Sequence, residues 1–69
     1  MDIEAGQKVK VVRKYLGLTL AFVESACKVH RSDLSKIERG VRKAYKPERR
    51  RITEYFDPHR RGFFWPELG

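Results

Sequence analysis

The sequence predicts an all-α domain, and three observations carry that prediction. Apolar residues recur at spacings of three and four over most of the 69 residues. The periodic stretches end on helix stops, at Gly17, at Gly40 and at Asp57-Pro58. No segment alternates apolar and polar residues over the length of a strand, and there is no internal repeat. A chain this short makes one small domain, which buries only roughly 60% of the surface its unfolded form exposes.

The first helix is expected from Gln7 to Leu16. Val9, Val12 and Leu16 form its buried stripe, while Lys8, Lys10, Arg13 and Lys14 fill most other positions. Val11 and Tyr15 make a second, narrower stripe, and Gly17 supplies the left-handed residue that stops the helix. Thr19 offers its hydroxyl as the next N-cap, and Leu20, Val23 and Cys27 then mark a helix of about two turns. Lys28-Val29-His30 interrupts the pattern. The stretch VHRSDLSKIERG restarts it at Leu34 and Ile37 and ends on Gly40. Two short helices so closely spaced amount to a helix-turn-helix over 19–39. A polar, basic loop runs from Val41 to Lys46, and Pro47 suits the first turn of a further helix. Ile52, Tyr55 and Phe56 repeat along that helix until Asp57-Pro58 ends it. The chain thus divides into a helical domain, 1–57, and an aromatic C-terminal extension, 58–69.

Sixteen Lys and Arg against nine Asp and Glu give a net charge of +7, which points to a polyanionic partner. One cysteine, Cys27, permits neither an internal disulfide nor a cysteine-based zinc set, and no cofactor or metal is expected. The sequence contains no glycine-rich phosphate loop, no metal-ligand spacing and no histidine aligned with a nucleophile, so an enzyme is not expected. The apolar runs fall far short of the ~20 residues that span a bilayer, and Met1-Asp2-Ile3-Glu4 opens no secretory signal. The expectation is a soluble, cytoplasmic protein with no membrane partner.

The stretch 29–40 separates two tasks by face. Val29, Leu34 and Ile37 point inward, whereas Arg31, Ser32, Ser35 and Lys36 lie outward near the helix N-terminus. Such a face suits the major groove, where Arg and Lys donate to guanine O6 and N7 and Ser contacts base edges or phosphate. Asp33 accepts from cytosine N4, holds Arg31, or stabilises the first turn through the helix dipole; these alternatives stay open. His30 reads as a satisfied polar residue near phosphate, and Cys27 as an inert small hydrophobe.

LTLAFVESACKVHRSDLSKIERG, residues 18–40, resembles the helix-turn-helix of the phage-repressor/Cro-like family, also called the xenobiotic-response-element family. Leu18-Thr19, Val23, Val29, Leu34-Ser35-Lys36-Ile37-Glu38 and Gly40 carry the resemblance, and VKVVRKYLGLT, 9–19, is similar to the family's first helix. The resemblance extends over residues 6 to 57 and implies a λ-repressor-like DNA-binding domain of four to five short helices. It implies a sequence-specific regulator of double-stranded DNA, a small phage or mobile-element repressor binding a palindromic operator as a homodimer. It further implies a salt bridge between Arg13 and Glu38, and phosphate contacts from Thr19, Arg39, Arg42, Lys43 and Lys46. The chain departs from the family's pattern at Glu24, where a small residue is usual, and at Lys28, where glycine is usual. Lys28 is accordingly expected at positive φ, Glu24 with its head in solvent, and the two as a weak ion pair.

Phe63, Phe64 and Trp65 are too much apolar surface to leave in water. They fold back over Val11 and Tyr15 or form the two-fold interface, and the resemblance favours the interface. An alternative function is an antitoxin-like module whose tail binds a partner protein, with DNA binding for autoregulation.

Overall fold

The computed structural model of the chain describes residues 2–68, with side chains described from Glu4 to Leu68. Four α-helices follow in order, α1 over Asp2–Tyr15, α2 over Leu20–Cys27, α3 over Arg31–Glu38 and α4 over Lys46–Phe56. A 3-10 turn covers Pro66–Leu68, and no strand occurs among the described residues. Met1 and Gly69, the outer limits of the expected two-part division, lie outside the described residues.

Helix α1 begins at Asp2 rather than Gln7, because the turn before Gln7 also has a face to bury. Ala5 and Val9 are buried, and between them Gly6 lies directly on α3. A Cβ at Gly6 would collide with the Ile37 carbonyl oxygen and stand 2.9 Å from its carbon. Val12 is half-buried, but Leu16, expected in the buried stripe, is exposed because the helix has already ended. Val11 and Tyr15 are exposed as well. Gly17 closes α1 at φ 72°, donating to Lys14 O at 3.0 Å while Leu18 donates to Arg13 O at 3.0 Å. Gly40 repeats that closure after α3, with bonds from Gly40 to Ile37 O and from Val41 to Lys36 O.

Thr19 caps α2, its Oγ1 accepting from the Phe22 N–H at 3.0 Å. The helix ends at Lys28, whose left-handed φ 60° and ψ 35° let its N–H reach Glu24 O at 2.8 Å. Lysine in this region costs roughly 1 kcal/mol, so the surrounding contacts hold it there. At the start of α4 the Glu48 carboxylate reaches back to accept from the Tyr45 N–H at 2.8 Å. Ile52 and Thr53 form the buried stripe of α4 together with half-buried Phe56. Tyr55, placed in that stripe by its spacing, instead faces out beside Phe22, with ring centroids 6.2 Å apart.

Helix α3 packs against α1 and α2, and α4 against α2. The core joins Ala5, Val9, Val23, Cys27, Val29, Leu34, Ile37, Ala44 and Ile52 to Phe64 and Trp65 of the tail. Phe64 and Trp65 of the tail therefore pack in the same core, the packing arm of the expectation, while Phe63 stays half-exposed. Asp57 causes the return: its carboxylate accepts from the backbone N–H groups of Arg61 at 3.0 Å, Gly62 at 3.1 Å and Phe63 at 3.3 Å. Arg60 and Gly62 supply the positive φ that the turn needs. Phe64 then meets Phe56 edge-on at 6.1 Å, and Val11 and Tyr15, the expected seat of the tail, stay exposed. Phe63 remains half-exposed, with Lys8 donating to its carbonyl at 3.1 Å and lying 5.2 Å from its ring centre. Arg49 bonds Glu67 at 2.9 Å and ties the last turn to α4.

Candidate nucleic-acid interface

Three residues, Lys28 to His30, join α2 to α3, and His30 caps α3. Its Nδ1 accepts from the Ser32 N–H at 3.1 Å, with Ser32 Oγ 2.8 Å from the same nitrogen. Leu34, Ile37 and Glu38 are buried, and Val29 just ahead of the helix is buried with them. Arg31, Ser32 and Lys36 are exposed and Ser35 is half-buried, so all four keep surface outside the core. Arg39 continues that surface and donates from Nε to Ser35 O at 3.3 Å.

The inner end of α3 is held by a charge pair. Arg13 Nε lies 2.8 Å from Glu38 Oε2 and Nη2 lies 3.0 Å from Oε1, a two-pronged contact across α1 and α3. The third prong, Nη1, donates to Leu18 O at 2.8 Å. Hydrogen bonding to Glu38 pushes the Arg13 guanidinium further up from its already high range. Glu38 is only 3% exposed, and this partner is what makes its burial tolerable.

The basic loop after α3 is organised by Arg42. Its Nη1 donates to Glu48 Oε1 at 2.9 Å and to Lys43 O at 2.7 Å, and its Nη2 lies 2.8 Å from Glu48 Oε2 and 3.5 Å from Asp33 Oδ1. The guanidinium also stacks 4.5 Å from the Tyr45 ring centre. These contacts commit the terminal N–H groups of Arg42, expected at a phosphate, inside the chain. Asp33 finds its partner here and does not hold Arg31, which instead lies 3.5 Å from Glu24. Hydrogen bonds from Arg42, and then from the Tyr45 backbone, hold the Glu48 carboxyl below the usual range.

Arg39, Lys43, Lys46 and Thr19 are all exposed. Thr19 spends its acceptor on the cap and keeps its O–H to donate. Glu24 turns toward solvent and faces His30 Nε2 at 3.8 Å and Arg31; the expected Glu24–Lys28 pair gives way to these partners. Ala26, Cys27, Lys28, Arg51, Glu54 and Tyr55 line an open groove of about 270 Å³ between α2 and α4. Burial pushes the Cys27 thiol up to about 11, so it stays protonated at neutral pH. Among the described residues no three His, Cys, Asp or Glu side chains gather as a metal site, and no helix is long and apolar enough to cross a membrane.

Sequence reasoning missed Gly6, the turn held by Asp57 and the stacking of Arg42 on Tyr45. Asp57-Pro58, with Gly62 four residues beyond the proline, is a turn signal that could have found this second role of Asp57. No comparable signal marks Gly6, because its partner lies on another helix. No protein-family model, curated protein or solved structure matches the chain.

Proposed function

We propose that this protein is a sequence-specific double-stranded DNA-binding regulator whose α3 enters the major groove. A single observation carries the reading: α3 is fixed on its inner face by Leu34, Ile37 and the Arg13–Glu38 pair, while Arg31, Ser32, Ser35 and Lys36 share its outer face in a chain of net charge +7. The short α2–turn–α3 unit is read as a helix-turn-helix in a λ-repressor-like domain. Arg31 and Lys36 donate to base edges, Ser32 and Ser35 contact bases or phosphate, and Thr19, Arg39, Lys43 and Lys46 neutralise or bond phosphates.

The molecule is proposed to act as a cytoplasmic repressor of the phage or mobile-element kind, as a homodimer that sets two copies of α3 about 34 Å apart. Its two-fold surface is assigned to α1. Val11 and Tyr15 are exposed one turn apart, Lys8 precedes Val11 by three residues, and half-exposed Phe63 lies against Lys8. For the antitoxin-like alternative the tail offers Phe63 alone of its three aromatics, because Phe64 and Trp65 are buried in their own chain.

Titrating the protein onto a duplex pool at increasing salt tests the reading. Neutralising about six to ten phosphates predicts an affinity that falls about 10³ to 10⁵-fold between 50 and 200 mM salt. A flat salt response would remove nucleic acid as the partner.

A further inference from the structure

We infer that Tyr45 is a phosphate-binding residue of this interface, and that Arg42, Asp33 and Glu48 serve to hold it in position. The inference rests on the DNA-binding reading above and assigns to that site a contact which charge alone does not reveal.

The geometry runs outward from the reading helix. Asp33 stands in the first turn of α3, the turn that also carries Arg31 and Ser32. Its carboxylate is 3.5 Å from Arg42, so the loop after α3 folds back alongside that turn and does not run away from it. Arg42 is then locked from the other side by two bonds to Glu48 of α4 and by its own bond to Lys43 O. A planar guanidinium with both ends fixed is a rigid shelf, and the Tyr45 ring lies on it at 4.5 Å. The Tyr45 backbone is pinned as well, through its N–H to Glu48.

The ring is nevertheless 65% exposed, beside Lys43 and Lys46, which are exposed too. An aromatic side chain held by cation stacking and a helix cap, yet left in water, contributes little to a core. What it presents is a phenol O–H of fixed position on a basic surface beside the reading turn. A phenol donates well to a phosphate oxygen, and a donor that is already immobile loses little entropy on binding. Because the phenol is neutral, this contact adds affinity without displacing a counterion, which distinguishes it from the neighbouring lysines.

The experiment compares wild-type protein, Tyr45→Phe, Lys43→Ala and Arg42→Lys on a duplex pool across a salt series. Loss of a hydrogen bond to a charged group predicts that Tyr45→Phe binds about tenfold more weakly on every sequence, with the salt slope of wild type. Lys43→Ala should instead lower the slope by about one. Arg42→Lys keeps the charge but cannot bridge two carboxylates, so it should weaken binding as Tyr45→Phe does and add nothing further in the double variant. That non-additivity is what a purely structural role for Arg42 would not produce. Wild-type binding that Tyr45→Phe leaves unchanged would overturn the inference and leave the DNA-binding reading standing. A wild-type protein that binds no duplex would overturn both.

Discussion

Removing Glu38 tests how α3 is held. In Glu38→Ala, Arg13 loses both prongs of its contact, at 2.8 and 3.0 Å, and keeps only Leu18 O. Breaking a buried pair by deleting one partner costs about 3–5 kcal/mol. Arg13 retains 11% exposure and one carbonyl partner, which puts the expected loss near the lower end, about 3 kcal/mol. For a domain of this size each kcal/mol moves Tm by about 4–8 °C, so Tm should fall by about 12–24 °C. Thermal unfolding followed by circular dichroism gives the shift, and urea unfolding with an unchanged slope shows that the native state is otherwise intact. Arg13→Met combined with Glu38→Leu replaces the pair by apolar groups and should cost less than Glu38→Ala alone, because no charge is left without its partner. A Tm loss below about 4 °C in Glu38→Ala, equivalent to less than about 1 kcal/mol, would refute the claim that this pair fixes α3 to α1.

Gly6→Ala should destabilise the fold by about 1–3 kcal/mol through overpacking against Ile37, even though alanine gains about 1 kcal/mol in helix propensity; a more stable variant in urea melts would show that α1 does not approach α3 this closely. Asp57 and Glu48 both have folded carboxyl pKa values held below their usual ranges, Asp57 by the Arg61 N–H first and Glu48 by Arg42 first. Their contribution is therefore present above the unfolded pKa of about 4 and is lost as pH falls through the lower folded values. Tm should hold from neutral pH to about 5 and then drop, and Asp57→Asn should lower Tm at neutral pH and flatten the acid limb; a variant whose acid limb runs parallel to wild type would remove Asp57 from that role. Val11→Glu with Tyr15→Glu should turn the proposed dimer into a monomer on light scattering that keeps its helical circular dichroism, since both residues are already exposed in the single chain. An unchanged mass would place the two-fold surface elsewhere.

Where local chemistry determines the structure, the residues were legible in order. Thr19 as a cap and Gly17 and Gly40 as left-handed stops each act within a few residues, and their bonds are made within that reach. The inward pair Leu34 and Ile37 followed from helical period alone. What escaped depends on partners distant in the chain. Gly6 is required by a carbonyl on α3, and the early start of α1 follows from that contact. Arg42 reads as a phosphate ligand until Glu48 and Asp33 are seen to enclose it. The seat of the tail is not legible in the sequence because three adjacent aromatics announce burial without saying against what. Three backbone N–H groups on Asp57 turn them inward, and that is a matter of fold.

Selection of bound duplexes from a random pool by the protein tests the central claim most directly. The account predicts a two-fold symmetric consensus with half-sites about one DNA turn apart, and Arg31→Ala and Lys36→Ala should each relax individual positions within it by about 1–3 kcal/mol. A pool that stays random after repeated rounds, or a consensus indifferent to both substitutions, would contradict α3 as the reading helix.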